Sequence, residues 1–502
     1  MSSSNIKLNP NPIVRYLGKP SREFTKKDII DYIVNNDIEM VNFRYCGADG
    51  RLKTLNFIIN DMDHLDLILS TGERVDGSSL FPFVAADCSD LYVVPRFNTA
   101  FLDPFAEIPT VEMLCSYFTK DGLPLESAPE NILRKAHQAL KEVTGMDFEV
   151  MGELEFYVIM DKEDAFEIPD QRGYHESSPF NKSEQFRAEA MRMIAQAGGL
   201  IKYGHSEVGN FTVGNTLYEQ NEIEFLPTKL EDAADQLLVA KYIIRNLAYE
   251  YGVDVTFAPK ITTGKAGSGM HVHTRLMKED RNTMIAEGKL TDSAYKAISG
   301  YLELAPSLTA FGNMNPTSYF RLVPHQEAPT TIVWGDMNRS ALVRVPLGWT
   351  NNASNMSNIA NGIKATEEKD YSHKQTVEFR CPDGSADIYL LLAGLAVAAR
   401  YGFEMENSVQ YAKDHYIGVN IHDDKNKKFA DNFSQLPASC AESADQLERQ
   451  RDIYEAYGVF PKGTIDGQIK MLRAFNDGNL RKELEGKPDK MAELVKKFIN
   501  CG

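Results

Sequence analysis

The sequence predicts an α+β protein of two domains, in which one sheet has a polar face and a face backed by helices. Charged and imidazole side chains recur two residues apart in short apolar segments: Glu153 and Glu155, Glu222 and Glu224, His271 and His273, Glu378 and Arg380. On a β-strand this spacing places both side chains on one face of the sheet. The residues between them are apolar, so the other face suits packing against helices. The chain of 502 residues also exceeds the size at which a single core usually stops growing.

Composition and charge indicate a folded protein with an excess of acid. The chain is 43% hydrophobic and 25% charged, and its formal net charge is −17. This charge disfavours nucleic acid and anionic membrane surfaces as partners. The amino terminus has no cationic start followed by an apolar core, so we expect no secretory signal. The longest apolar stretch, residues 389–399, is too short to span a bilayer and predicts a buried helix.

The cysteines predict a reducing compartment. The six of them are scattered and contain no CxxC pair, which disfavours a zinc knuckle or a disulfide framework: Cys46, Cys88, Cys115, Cys381, Cys440 and Cys501. We therefore expect reduced structural thiols and a cytoplasmic location.

The first part of the chain is expected to be a small α+β domain preceded by an arm. Residues 1–25 contain the turn-forming stretches NPNP and GKPS and predict an extended, loosely held arm. A helix is expected from Lys26, and strands are expected near residues 40–44, 53–59, 91–94 and 111–117. Because residues 119–129 are rich in turn formers, the domains are placed at 26–120 and 126–502.

Helices alternate with polar-faced strands in the second domain. Pro129 is a good first helical residue and predicts a helix to about Val143. Further helices are predicted at residues 183–196, 230–251, 292–304, 388–403, 441–457 and 488–498. Residues 348–374 are polar and rich in asparagine, so we expect a long loop between two strands.

Five glutamates and one histidine form a candidate ligand set for two hard divalent cations: Glu153, Glu155, Glu207, Glu222, Glu378 and His271. Mg²⁺ and Mn²⁺ favour oxygen ligands with an occasional imidazole. One such glutamate alone is more often a surface charge, and one such histidine is more often structural. Their recurrence at strand spacing, beside glycine-rich turns such as GSG at 267–269, strengthens the metal interpretation.

Four arginines in strand-like surroundings complete the set of candidate polar residues: Arg321, Arg339, Arg344 and Arg380. The planar guanidinium group suits carboxylates and phosphates. Metal-binding carboxylates together with several arginines favour phosphoryl transfer from a nucleotide. The sequence contains no Walker A or GxGxxG segment, so a P-loop or Rossmann site is not expected.

Eight motifs resemble those of a known family and follow one another in the family's order. They are VDGSS (75–79), GELEF (152–156), HSEV (205–208), QNEIEF (220–225), GSGMHVH (267–273), RLVPHQEAP (321–329), NRSALVRVP (338–346) and VEFRCPDGSA (377–386). Together they resemble glutamine synthetase, from about Asn42 to the last helices. The number of motifs in a fixed order makes the resemblance specific.

The resemblance implies a fold and an assembly. The fold would be an N-terminal β-grasp domain plus a glutamine-synthetase-type catalytic domain, in which antiparallel polar-faced strands form a half-barrel. The chain would form a homo-oligomer of stacked rings, expected to be a dodecamer, with each active site between a catalytic domain and the neighbour's N-terminal domain. The substrates would be ATP, glutamate and ammonia, and the cofactors two or more Mg²⁺ or Mn²⁺ ions per site.

The resemblance also implies roles for the metal and nucleotide residues. One metal would be held by Glu155, Glu207 and Glu222, and the other by Glu153, His271 and Glu378. His273, Arg339 and Arg344 would bind ATP.

The remaining roles concern glutamate and ammonia. Arg321 and Gly267 would bind the amino-acid substrate, while Arg380 would bind the phosphorylated γ-group. Glu327 would lie on a flap that shields the acyl phosphate from water. Asp76 would take a proton from ammonium in the neighbouring subunit's site, with Asp90 as the second ammonium-site aspartate.

Several positions near the substrates depart from the familiar pattern, including Ala266 for an asparagine, Arg275 for a serine and Thr376 for an arginine. All six metal positions match. The first hypothesis is therefore formation of glutamine through γ-glutamyl phosphate. A γ-glutamyl–amine ligase that uses a polyamine or another organic amine stays open. A non-catalytic ring scaffold is the third alternative, although nothing structural requires five glutamates to converge.

Overall fold

The protein folds around two sheets, each with its own hydrophobic core. The computed structural model describes residues 3–81, 89–323, 328–348, 353–364, 371–421, 423–426 and 431–502. Its α+β class, with a curled sheet in the second part, agrees with the sequence prediction.

The first sheet contains the predicted strands and two more. The helices around it are α1 (Ser3–Leu8), α2 (Pro12–Leu17), α3 (Lys26–Asn35), α4 (Met62–Thr71) and α5 (Gly77–Leu80). The strands are β1 (Met40–Cys46), β2 (Leu52–Ile58), β3 (Glu73–Asp76), β4 (Asp90–Pro95), β5 (Phe101–Leu102) and β6 (Thr110–Phe118). Their order is β2-β1-β6-β4-β3, with β5 beside β6. The β1–β6 pair is parallel, and the other pairs are antiparallel.

Residues 3–23 contain two short α-helices and a 3₁₀ turn where an extended arm was expected. Asn11 caps α2, because its side-chain oxygen accepts the Ile13 N–H at 2.8 Å, and Pro12 suits the first helical turn. Ile13 and Val14 are buried in the first core. The NPNP stretch therefore starts a helix whose apolar residues anchor this segment to the domain.

The second sheet is larger and more strongly curved. Its strands, together with a small separate hairpin (β14 and β15), are β7 (Asp147–Asp161), β8 (Ile201–Val213), β9 (Thr216–Phe225), β10 (Thr228–Lys229), β11 (Asp254–Thr256), β12 (Met270–Lys278), β13 (Arg281–Asn282), β14 (Ile285–Ala286), β15 (Lys289–Leu290), β16 (Trp334–Asp336), β17 (Val343–Val345) and β18 (Val377–Phe379). The main path is β16-β17-β18-β12-β7-β9-β8. Only β16 and β17 are parallel among the described strand pairs of this sheet.

Helices of the second domain pack on strands of this sheet and on one another. They are α6 (Pro129–Thr144), α7 (Glu184–Gln196), α8 (Leu230–Tyr251), α9 (Asp292–Gly312), α10 (Ser318–Arg321), α11 (Ala353–Ala360), α12 (Ile388–Glu404), α13 (Ser408–Asp414), α14 (Cys440–Glu455), α15 (Lys462–Ala474), α16 (Leu480–Leu484) and α17 (Pro488–Phe498). Helix α11 lies in the stretch 348–374 that was expected to be a loop.

Helix α12 is the buried helix predicted from the apolar stretch. It packs on α6 and α9, and its apolar residues surround the helix, as expected for a core helix. In the described part of the chain no single helix is long and apolar enough to cross a membrane. Only α12 and α13 taken together, across a bend of 109°, reach that length and apolarity.

Polar contacts of two arginines join the domains. Arg96 Nη1 and Nη2 lie 2.6 and 2.9 Å from the two carboxylate oxygens of Asp235, which also accepts the Tyr389 hydroxyl at 2.7 Å. Arg44 donates to the Tyr242 hydroxyl at 2.8 Å and also pairs with Glu112. The bidentate Arg96–Asp235 pair and the Arg44–Tyr242 hydrogen bond therefore tie the first domain to α8.

Candidate active site

The concave face of the second sheet encloses a cavity of about 940 Å³. The described residues of the predicted site that line it are Glu153, Glu155, Glu207, Glu222, Gly267, His271, His273, Arg321, Arg339, Arg344, Glu378 and Arg380. Residues that are distant in sequence therefore meet on one polar face.

Antiparallel pairing accounts for this convergence. The paired positions are Glu153 with His271, Glu155 with Glu222, His273 with Glu378, and Glu378 with Arg344. Because directly opposed side chains on antiparallel strands lie close together, the strand register brings acids, imidazoles and arginines into contact.

The first cluster is formed around Glu153. Its carboxylate oxygens lie 2.9 Å from His271 Nδ1 and 2.8 Å from His273 Nε2. Glu378 Oε1 is 3.6 Å from His271 Nδ1. Ligand atoms of Glu153, His273 and Glu378 lie within 4.8 Å of one another, so this group could hold a metal ion. His273, which the resemblance assigns to ATP, thus presents a nitrogen to the same cluster as His271.

Neighbouring cations keep this cluster ionised. Burial alone would raise the pKa of Glu153, but His273 and His271 outweigh it, and the pKa lies well below its ordinary value. Burial would likewise raise the pKa of Glu378, but Arg380 and the two histidines lower it. Arg380 Nε and Arg344 Nη1 donate to Glu378 at 2.9 and 2.8 Å.

A second cluster lies around Glu222. His205 Nε2 is 3.1 Å from Glu222 Oε1, and ligand atoms of His205, Glu222 and Glu224 lie within 4.8 Å of one another. Glu224 also accepts hydrogen bonds from Lys202 Nζ at 2.6 Å and from the Tyr203 hydroxyl. Neither His205 nor Glu224 was among the ligands predicted from the sequence.

The negative charge of the second cluster is poorly balanced. Burial raises the pKa of Glu222 well above its ordinary value, and the carboxylates of Glu153, Glu155, Glu207 and Glu224 raise it further. A divalent cation would neutralise these groups, and their oxygen and imidazole donors are those that Mg²⁺ and Mn²⁺ accept. The residues therefore fit a metal ion here.

The resemblance assigns Glu155 and Glu207 to the same metal as Glu222, and both line the cavity near the second cluster. Glu155 accepts hydrogen bonds from Gly269 N at 2.9 Å and Gln220 Nε2 at 2.8 Å. Glu207 Oε1 is 3.8 Å from His205 Nδ1. His205 is therefore in contact with two of the three predicted ligands of this metal.

The arginines lie among these acids and histidines. Arg321 is buried, donates to the Cys381 carbonyl at 2.8 Å and approaches His271 Nε2 to 3.4 Å. Arg380, which pairs with Glu378, also donates to the backbone carbonyl of Arg339. The cavity thus combines acids with cations, as binding of a metal–nucleotide complex and a dicarboxylate requires.

The GSG stretch, residues 267–269, passes very close to the side chains of the site. A Cβ added to Gly269 would lie 2.6 Å from Arg321 Nη2 and 3.0 Å from His271 Nε2. A Cβ added to Gly267 would lie 2.5 Å from the Pro259 carbonyl oxygen. In the sequence, GSG is only weak evidence for a functional site, because a simple turn can have the same composition.

The two predicted ammonium-site aspartates face each other on β3 and β4. Both are exposed, and neither lines the cavity of its own chain. Hydrogen bonds from the Ser79 and Ser78 hydroxyls hold the pKa of Asp76 below its ordinary value, so it is ionised at neutral pH. Glu327, the predicted flap residue, lies outside the described residues.

The rings of Tyr174, His175 and His205 form an aromatic wall of the cavity, which the sequence did not predict. Tyr174 and His175 are stacked with ring centroids 4.2 Å apart, and the His175 ring lies 4.3 Å from that of His205. Burial lowers the pKa of Arg339, but the nearby Tyr174 and Glu378 outweigh it and raise that pKa above its ordinary value. Tyr174 and His175 lie in residues 162–182, which form no helix or strand, so no periodicity in the sequence indicated them.

Comparison with known proteins identifies related sequences. Family models of the glutamine synthetase β-grasp domain and catalytic domain match residues 37–120 and 126–474. The glutamine synthetase of Pyrococcus abyssi is 32% identical over 411 residues, which cover 81% of this chain and 84% of that protein. That of Mycolicibacterium smegmatis is 31% identical over 492 residues, covering 90% and 95%.

Solved structures share the fold. Plasmodium falciparum glutamine synthetase superposes with a TM-score of 0.74 at 20% identity, covering 91% of this chain and 97% of that chain. A ligand-free GmaS structure gives a TM-score of 0.72 at 18% identity, covering 95% and 100%.

Proposed function

Because the chain belongs to the glutamine synthetase family, we propose that it uses ATP to ligate ammonia to the γ-carboxylate of L-glutamate. The observation that carries this proposal is the cavity in which two clusters of acids and imidazoles adjoin four arginines. Phosphoryl transfer needs such an arrangement of metal-binding acids and phosphate-binding cations.

The metal-binding residues follow the two clusters. Glu153, His271 and Glu378 would hold one Mg²⁺ or Mn²⁺ ion, and the second would lie among Glu155, Glu207 and Glu222, with His205 in contact. When bound, these ions supply charge neutralisation for the phosphoryl oxygens. His273 and Glu224 are further donors at the edges of the two clusters.

The arginines bind and orient the substrates. Arg321 would bind the glutamate carboxylate beside Gly267, while Arg339 and Arg344 would bind the ATP phosphates with His273 nearby. An oxygen of the γ-carboxylate attacks the γ-phosphorus, which gives γ-glutamyl phosphate and ADP. Arg380, held on Glu378, would neutralise the new phosphoryl group. Ammonia then attacks the carbonyl carbon of the γ-glutamyl group, and phosphate leaves.

The proton of ammonium requires a base. Asp76 of a neighbouring copy would accept it, with Asp90 opposite on the next strand. Glu327 would exclude water from the acyl phosphate. This part of the proposal includes assembly into stacked rings, because neither aspartate lines the cavity of its own chain.

The shared site is tested by mixing two inactive variants. Asp76→Asn lacks the base, and Arg339→Ala lacks a phosphate ligand, so each homo-oligomer should be nearly inactive. Mixed reassembly would place an intact cavity beside an intact Asp76 in about one quarter of sites, which predicts recovery of about a quarter of the activity. No recovery in mixed oligomers would contradict a site shared between copies.

A second candidate is a ligase that uses an organic amine in place of ammonia. Ala266 at a substrate position and the aromatic wall of Tyr174, His175 and His205 favour it, and GmaS, a γ-glutamylmethylamide synthetase, shares the fold. Aromatic faces attract alkylammonium groups.

Phosphate release distinguishes the two candidates. The purified protein is supplied with ATP, Mg²⁺ and glutamate, and then with ammonium, methylamine, ethanolamine or putrescine. Release that depends on ammonium, with glutamine as the product, supports the first proposal. Release only with an organic amine would replace it with the second. No release with any of them, from a protein that binds Mn²⁺, would contradict both.

A further inference from the structure

A second cavity, of about 290 Å³, lies beside the first. Its walls are residues 162–182 and the β8–β9 hairpin, and its lining includes Phe166, Phe180 and Phe211. Lys265 lines both cavities. This volume is close to the lower end of the range for small-ligand sites, roughly 300–1,000 Å³.

The aromatic lining includes a strained residue. Phe166 has a φ of 55° in the left-handed region, and 57% of it is exposed. Its ring lies 5.6 Å from that of Phe180, at an interplanar angle of 77°. A bulky residue in this region is a strained exception, and exposing the ring to water adds a second unfavourable contribution. Both contributions are explained if the two rings form the wall of a ligand site.

One lysine beside these rings has no carboxylate partner among the residues that the structure describes. Lys162 pairs with Asp164 and Glu167, and Lys265 pairs with Asp170. Lys182 differs, since it takes part in none of the ion pairs among the described residues.

The contacts of Lys182 leave room for an anion. Its ammonium group donates to the carbonyls of Ala165 and Pro179, so one N–H and the positive charge stay available. The buried carboxylate of Glu219 also lines this cavity, but it accepts hydrogen bonds from Asn181, Ser183 and the Lys182 backbone N–H. Those donors disperse its charge.

The walls of the two cavities are connected. Gln171 Oε1 accepts the Ala266 N–H at 2.7 Å, and the Asp170–Lys265 pair lies one residue away on each side. Gly267, which follows Ala266, lines the substrate cavity. Because Asp170 and Lys265 both line the second cavity, a ligand that fills it lies against the ion pair next to the turn that carries Gly267.

We propose that this second cavity binds a small aromatic carboxylate. The ring lies against Phe166 and Phe180, and the carboxylate pairs with Lys182. Occupancy is transmitted to residues 264–267 through Asp170 and Lys265. This inference goes beyond the proposed ligase activity, because it assigns an effector site outside the cavity where that chemistry takes place.

Calorimetric titration of the full chain with indole-3-acetate tests the site. We expect saturable binding of one ligand per chain, about tenfold weaker in Phe166→Ala and in Lys182→Gln, and unchanged within twofold in the matched control Lys162→Gln. Tryptamine, which has the same ring but no carboxylate, should not bind. Lys182→Gln changes a partly exposed side chain, so it provides the test if Phe166→Ala fails to fold.

Hydrogen exchange of the amides of residues 264–267 provides a second readout. Indole-3-acetate should change their exchange rates in the wild type and leave them unchanged in Lys182→Gln. Four results would each overturn the proposal. The first two are the absence of saturable binding of indole-3-acetate at millimolar concentration, and binding of indole-3-acetate by both variants with the wild-type affinity. The other two are tryptamine binding as tightly as indole-3-acetate, and no change in the exchange of residues 264–267. None of these measurements depends on ligase activity, so a failure here is distinct from a failure of the proposed reaction.

Discussion

The substitution Glu222→Gln should stabilise the metal-free protein and reduce the stabilisation that bound metal supplies. Glu222 is buried among four other carboxylates, which raises its pKa well above the ordinary value of 4.5. A carboxyl group whose pKa is higher in the folded than in the unfolded protein destabilises the fold. The destabilisation grows as the pH rises from the unfolded pKa to the folded pKa. Glutamine keeps the shape and the contact with His205 but removes the charge.

The magnitude has an upper bound. At pH 7 the destabilisation cannot exceed the free energy of protonating a carboxyl of ordinary pKa, which is about 3.4 kcal/mol. We expect the metal-free variant to be about 1–3 kcal/mol more stable than the wild type, with a Tm higher by roughly 1–3 °C.

Metal binding offsets this gain by about 2.3 kcal/mol, the difference between its effects on the wild type and on the variant. A metal at about 100 times its Kd stabilises the wild type by about 2.7 kcal/mol. If the loss of one carboxylate ligand weakens metal binding about 100-fold, the same metal concentration stabilises the variant by only about 0.4 kcal/mol.

Thermal unfolding in EDTA and across a Mn²⁺ titration measures both effects. The matched control is Glu219→Gln on the same strand, whose carboxylate contacts only donors. That variant should be less stable without metal and should keep the full Mn²⁺ shift. A Mn²⁺ shift in Glu222→Gln equal to that of the wild type would refute the assignment of this cluster to a metal.

Three further predictions concern the glycine turn, a buried carboxyl and the domain contact. Gly269→Ala should reduce kcat at least 100-fold in a phosphate-release assay, because its Cβ would overlap two site side chains, whereas Gly467→Ala, in open space, should keep full activity. Burial raises the pKa of Asp387 to about 6, so its stabilising contribution should be lost as the pH rises from about 4 through 6. Urea unfolding should show Asp387→Asn, which preserves the helix cap, gaining on the order of 2 kcal/mol over the wild type across this range, and parallel pH curves would contradict this. Asp235→Ala leaves Arg96 without its partner and should lower stability by about 3 kcal/mol in the same assay, and a change below 1 kcal/mol would contradict it.

The sequence predicted the parts of the fold that depend on local periodicity. The spacing of Glu153 and Glu155 indicated a polar sheet face, since strand side chains alternate with a period of two. Helix α12 was predicted because its residues are apolar around the whole helix. Both features follow from backbone geometry without knowledge of the neighbouring elements.

The parts that were missed depend on tertiary contacts. His205 joins Glu222 through the β8–β9 register, which contains irregularities that the sequence does not mark. Helix α9 was expected to end at residue 304, but it continues through Pro306 to Gly312. The Ser307 hydroxyl donates to the Leu304 carbonyl at 3.0 Å, and burial in the core stabilises the remaining turns.

Capture of the acyl phosphate by hydroxylamine tests the central claim most directly. The protein is incubated with glutamate, ATP, Mn²⁺ and hydroxylamine, and γ-glutamyl hydroxamate is measured as its coloured iron complex. The account predicts hydroxamate that requires ATP and Mn²⁺ and falls at least 100-fold in Arg321→Ala. Absence of hydroxamate from a protein that still binds Mn²⁺ and ATP would contradict the formation of γ-glutamyl phosphate in this cavity.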